Sequence, residues 1–170
     1  VEIGNAAFLG CNSFADYEIG RVLEAVDRHC PDALVIYTSD HGDAMQSHSI
    51  TNKGAAMYDE ITRIPLIVRW PGLAPAGAVT STPVSHIDLV PTVLERFGVP
   101  RPRLLEGESI ADIIRAPAPQ RSRDVFIEFG RYEIDHDGFG GFQPERAIFD
   151  GRYKLVINLL ASDELYDLHA

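Results

Sequence analysis

The sequence predicts an α/β fold: a mixed sheet flanked by helices, followed by a small antiparallel sheet. Three observations carry this. A helical apolar stripe over residues 15–26 leads through Pro31-Asp32 into the apolar run Ala33-Leu34-Val35-Ile36-Tyr37, a helix and a strand joined by a short connection. A second apolar run, Leu66-Ile67-Val68-Arg69-Trp70, follows a proline break. Beyond residue 120 the pattern changes to short alternating segments separated by turn residues.

The elements follow in order. Residues 5–28 read as one amphipathic helix, because Ala15, Ile19, Val22, Leu23 and Val26 fall on one stripe while Asp16, Glu18, Arg21 and Glu24 lie mostly off it. The run 33–37 is rich in β-branched and aromatic side chains and has no polar alternation, the signature of a strand buried on both faces. Gly54 to Ile61 reads as a short helix, ended by Arg63-Ile64-Pro65. The second buried strand, 66–70, stops at Pro71-Gly72, and residues 71–83 form a Pro/Gly-containing loop. Leu89, Val93, Leu94 and Phe97 repeat with helical spacing. Ser85 or Asp88 is the N-cap, Pro91 falls in the tolerant first turn, and Gly98 closes the end. A loop over 100–107 and a short helix over 109–115 come next. Ala116-Pro117-Ala118-Pro119 with Gln120-Arg121-Ser122 is the best boundary, dividing the chain into 1–119 and 120–170. Residues 125–129, 146–149, 153–159 and 165–166 read as strands, with Asp150-Gly151 as a hairpin turn.

A chain of 170 residues with 45% hydrophobic and 24% charged residues is long and apolar enough to bury a core. The net charge of −10 argues against nucleic acid as a partner, since phosphate backbones attract basic faces. No run of about 18 apolar residues occurs, so no membrane-spanning helix is predicted. Cys11 and Cys30 are too few for a disulfide scaffold and read as small buried hydrophobes.

The chemistry gathers at the end of the first strand. Thr38-Ser39-Asp40-His41-Gly42-Asp43 delivers a carboxylate and an imidazole where α/β proteins build binding sites. Adjacent strand residues point to opposite faces, so Asp40 and His41 converge only if the chain bends, and Gly42 supplies the freedom. An ordinary turn capped by Asp40 would use the same residues. His48 and Lys53 follow in a polar loop. An oxygen- and nitrogen-bearing corner followed by a lysine suits an anionic substrate bridging a divalent cation and an ammonium. Farther on, Arg131, Glu133, Asp135, His136 and Asp137 cluster beside a glycine-rich stretch. They read as a solvated hairpin loop, as a loop reading substrate, or as a second metal-binding loop. Arg146, Arg152 and Lys154 read as the polar face of strands, and His86 and Asp88 as helix capping.

TSDHGD, NKGAAMYDEITRIPLIVRWPG, HIDLVPTVLERFGVP, GRYKLVIN and ELYDL, taken together and in this order, resemble the sulfatase branch of the alkaline phosphatase superfamily. The resemblance covers most of the chain and matches the C-terminal part of such an enzyme. It implies an alkaline phosphatase-like mixed sheet, here partial, over 1–119 and a small antiparallel subdomain over 120–170. It implies that Asp40 and His41 are metal ligands, that Lys53 is a catalytic residue contacting sulfate oxygens, and that His48, near the pocket, is a second catalytic candidate. Arg131 and His136 fall where the C-terminal region edges the cleft. The ion implied is calcium, with manganese or magnesium as alternatives. The substrate implied is a small-molecule or saccharide sulfate ester. The formylglycine nucleophile of sulfatases arises from Cys/Ser-x-Pro-x-Arg, yet Cys11 precedes Asn12-Ser13-Phe14 and Cys30 precedes Pro31-Asp32. The nucleophile, and the Asp-Asp pair of further ligands, are therefore expected in an N-terminal portion outside these residues. These residues alone are then expected to be inactive and to hold the ion weakly. Phosphonate or phosphate ester hydrolysis is the alternative activity, and a non-catalytic interaction module the alternative class. An uncovered sheet edge would favour a homo-oligomer unless a longer chain covers it.

Overall fold

The computed structural model describes residues 6–50, 53–117, 123–131 and 142–169. The predicted first helix is α1 (Ala6–His29), with Arg28 and His29 in its last turn, where cations favour the carbonyl end. It leads into β1 (Val35–Thr38), which pairs antiparallel with β2 (Leu66–Arg69), Val35 facing Arg69 and Thr38 facing Leu66. Arg69 ties β2 to α1 through Asp27 at 2.5 Å.

Both strands were expected to be buried, and they are not. Tyr37 and Ile67 face each other across the pair, and Ile67 is 64% exposed. The helix stripe is half-buried only at Ile19, Leu23 and Val26, while Ala15 and Val22 are exposed. Phe14 is 67% exposed, and Cys11 and Cys30 are exposed rather than buried. The physical reason is area: a two-stranded ribbon offers a 24-residue helix too little apolar surface to cover it.

The helix predicted from Gly54 begins only at α2 (Asp59–Thr62). Gly54 sits at φ +49° and Tyr58 is extended, so the intervening residues turn inward and bury Met57. A 3-10 turn over His86–Asp88 then opens α3 (Leu89–Arg96). Ser85 and Asp88 form the reciprocal capping box, each side chain bonding the other's backbone N–H. Gly98 at φ +65° closes α3, with the Val99 N–H donating to the Leu94 carbonyl. The short helix α4 (Ala111–Arg115) follows. The proposed boundary at 119/120 lies outside the described residues, as do residues 132–141.

The C-terminal strands are β3 (Val125–Arg131), β4 (Phe142–Phe149), β5 (Tyr153–Asn158) and β6 (Glu164–Asp167), an antiparallel meander in chain order. Its tight turn is one residue later than predicted. Gly151, at φ +101°, and Arg152 occupy the centre, and Asp150 accepts the N–H groups of Arg152 and Tyr153. The inner face packs Ala147 and Val156 against Met57, with Ile127, Phe129 and Tyr166 around them.

One charged residue on that inner face corrects the sequence reading. Arg146 and Arg152 do form surface pairs, with Glu128 and Asp167. Lys154 instead is 3% exposed, and its ammonium donates to the Met57 carbonyl, Thr62 Oγ1 and Asp59. The pleat puts Lys154 on the same face as Val156, so its strand position sends it inward. Lys154→Ala is expected to lower stability by about 2 kcal/mol, because it leaves buried acceptors unpaired. The midpoint of urea unfolding checks this, and an unchanged midpoint would refute the role.

Candidate active site

The site begins where β1 ends. Ser39 Oγ donates to the His41 carbonyl at 2.6 Å and tightens the chain into a turn. Asp40 Oδ1 accepts the His41 N–H at 2.9 Å. That bond is the main reason the Asp40 carboxyl lies below its ordinary value, a drop that its slight desolvation opposes. Gly42 then lies flat against α2, its N–H donating to the Ile61 carbonyl at 2.8 Å. A Cβ at residue 42 would sit 1.9 Å from the Glu60 carbonyl oxygen. Glycine is required here by this close approach rather than by the freedom to bend that the sequence suggested.

The imidazole of His41 is held from both ends. Its Nδ1 lies 2.8 Å from the Gly42 carbonyl oxygen, a partner that can only accept, so Nδ1 carries the N–H. Nε2 is left as the acceptor, and it lies 2.9 Å from Lys53 Nζ and 3.4 Å from Asp40 Oδ2. Asp40, His41 and Lys53, grouped by the sequence into one corner, meet here at one point beyond the strand. All three are open enough to solvent for a ligand to reach them.

The intervening loop is unusual. Met45, Gln46, His48 and Ser49 all have left-handed backbones, with φ between 49° and 70°. Side-chain-bearing residues adopt this conformation at a cost, and such clusters occur where a loop must hold a particular shape. The loop is anchored by Ala44, which is fully buried, and by the Asp43 carboxylate on the Met45 N–H. His48 does not join the three. It stacks on Tyr58 with ring centroids 3.8 Å apart, and its Nε2 lies 3.5 Å from Glu60. Arg131 ends β3 on the surface, with its guanidinium over the Phe142 ring. His136, with Glu133, Asp135 and Asp137, lies outside the described residues.

Among the described residues, no group of three or more His, Cys, Asp or Glu side chains could hold a metal ion. Asp40 and His41 therefore offer a pair of donors, one anionic oxygen and one imidazole lone pair, which fits part of a shell of about six.

One residue at the site was assigned from the sequence to helix capping alone. His86, read there as part of a helix cap, reaches Ser39 with Nε2 at 2.7 Å from its carbonyl oxygen. The contact joins residues 47 apart, and no local pattern announces it.

The sequence profile of the sulfatase family matches residues 5–99, more than half of the chain. The chain belongs to the sulfatase family. It is 48% identical over 163 residues to the uncharacterized sulfatase YidJ of Escherichia coli, covering 94% of this chain and 31% of that protein. A protein solved in complex with its substrate D-glucosamine-2-N,6-O-disulfate superposes with a TM-score of 0.79 at 27% identity, over 91% of this chain and 32% of the other. The phosphonate monoester hydrolase of Silicibacter pomeroyi superposes with a TM-score of 0.75 at 29% identity, over 91% and 33%. The chain thus spans about a third of the length of the relatives it matches. Their alkaline phosphatase-like α/β architecture is the fold class predicted above.

Proposed function

We propose that the full-length protein is a metal-dependent hydrolase of sulfate esters, with Asp40 and His41 as two ligands of a divalent cation and Lys53 beside the transferred group. One observation carries the reading: a carboxylate, an imidazole lone pair and an ammonium meet within 3.4 Å at the end of β1. Calcium suits the carboxylate-bearing shell, with manganese or magnesium as alternatives. A cation bound there would polarise the ester oxygens as a Lewis acid.

The chain's own residues do the rest. Asp40 stays ionised through the His41 N–H and presents its second oxygen outward. Gly42 fixes the His41 tautomer and aims Nε2. Lys53, which donates to that nitrogen in the free protein, turns its ammonium to an anionic oxygen of the bound ester and stabilises charge that grows in the transition state. The formylglycine and the remaining ligands come from outside these residues. His48, stacked on Tyr58 beside the pocket, is a further catalytic candidate, and Arg131 and His136 are assigned to recognition of the non-sulfated part of the substrate. The substrate class is a saccharide or small-molecule sulfate, supported by the related enzyme solved with a sulfated glucosamine. A second reading, phosphonate or phosphate ester hydrolysis, is favoured by the likeness to a phosphonate monoester hydrolase.

Lys53→Ala in the full-length protein is expected to lower kcat/KM on sulfated monosaccharides about 10²- to 10³-fold, the effect of losing one charge-stabilising donor. His41→Ala is expected to abolish calcium binding measured by calorimetry. Turnover of a phosphonate monoester with none of a sulfate ester would replace the first reading by the second. Full activity in Lys53→Ala would refute both.

A further inference from the structure

We propose that His86 is a positioning residue that braces the turn carrying Asp40 and His41; the role in ion binding rests on the hydrolase reading above. Nε2 of His86 donates to the Ser39 carbonyl oxygen at 2.7 Å. The same Ser39 sends its hydroxyl to the His41 carbonyl at 2.6 Å. Ser39 is thus held by its own carbonyl on one side and grips the ligand turn on the other.

The brace has a rigid foundation. His86 is the first residue of the 3-10 turn that opens α3, and that turn is pinned by Asp88, two residues on. The Asp88 carboxylate is fully buried, bonded to the Ser85 and Glu108 N–H groups and to both terminal nitrogens of Arg123. The position of α3 is thereby transmitted through one imidazole to the end of β1. Partners that orient ligands from behind typically alter metal affinity 10- to 100-fold when removed. His86 is itself exposed, so substituting it removes little packing.

The test uses the full-length protein with His86→Ala and His86→Gln, the glutamine keeping an amide N–H at similar reach. Without added metal, hydrogen exchange at the amides of residues 40–42 is expected to speed at least tenfold in His86→Ala and to return toward the parent rate in His86→Gln. Calcium affinity measured by calorimetry is expected to fall about tenfold in His86→Ala and to recover in His86→Gln. Global melting is expected to stay in place in both. Unchanged exchange in His86→Ala, or equal disturbance in both variants, overturns the brace. Faster exchange with unchanged calcium affinity overturns its role in ion binding. A parent protein that neither binds calcium nor cleaves sulfate esters defeats the hydrolase reading instead, and the exchange result then decides the brace alone.

Discussion

Asp88→Ala is expected to destabilise the fold by about 3 kcal/mol, the low end of the cost of breaking a buried ion pair, because the Arg123 left behind is only half-buried. Domains have only about 5–15 kcal/mol in total, so a large unfolded fraction at 37 °C is the expected phenotype. Asp88 is 0% exposed, and Arg123 grips it with two parallel bonds of 2.7 Å. Alanine would strand the guanidinium together with the Ser85 and Glu108 N–H groups, which lie 2.8 and 3.0 Å from the carboxylate. The loss would also release the Glu108 tether beside Gly107, whose backbone packs so closely on Ile87 that a Cβ there would sit 2.0 Å from the Ile87 carbonyl oxygen. Urea unfolding of Asp88→Ala, Arg123→Ala and the double variant should give a non-additive cycle, because each single change already breaks the pair. Strict additivity would refute the pairing.

The pH dependence of that stability has a definite sign. Burial pushes the Asp88 carboxyl up, but the Arg123 bond and the Glu108 and Ser85 amides outweigh it and hold the group below its ordinary 3.8. A folded value lower than the unfolded one gives stability that is fully present above the unfolded value and is lost as pH falls through the folded one. The stability gap between the parent protein and Asp88→Ala should therefore stay constant above about pH 5 and shrink only in stronger acid. A gap that closes near neutrality would contradict the ionised, paired carboxylate.

What the sequence made legible was what local physics decides. The stripe from Ala15 to Val26 yields a helix wherever it packs, and Gly98 closes α3 because a left-handed backbone follows the last turn. Asp40 and His41 were readable because a strand end concentrates polar groups. Exposure was not readable, because burial belongs to partners: the outward faces of Tyr37, Phe14 and Cys11 look the same in the sequence as core positions. Distant contacts were equally hidden, as the Lys154 ammonium on the Met57–Thr62 segment and the His86 imidazole on Ser39 show. The left-handed backbones of Met45, Gln46, His48 and Ser49 had no local signal, since four side-chain-bearing residues adopt that conformation only under tertiary constraint.

Gly42→Ala carries the second large effect, and it reaches both stability and chemistry. A methyl group 1.9 Å from the Glu60 carbonyl oxygen and 2.9 Å from its carbon meets backbone on both counts, so no side-chain rotation relieves the clash. Either α2 withdraws or the turn lifts off it. Lifting breaks the Gly42–Ile61 bond and moves the carbonyl that fixes the His41 tautomer, so Nε2 no longer points at Lys53. Withdrawing α2 pulls Asp59 and Thr62 from Lys154 and opens the core around Met57. Overpacking of this kind costs about 1–3 kcal/mol or more. A misplacement of about 1 Å at a reacting group costs about 100-fold in rate. In the full-length protein, Gly42→Ala is therefore expected to melt several degrees lower, to lose about 100-fold or more in kcat/KM, and to bind calcium more weakly. The two losses should separate by variant: Lys154→Ala lowers the melting temperature through the same core while leaving the His41 ring aimed. If Lys154→Ala matched Gly42→Ala in lost activity at equal stability, the turn's contact with α2 would not be what positions the imidazole.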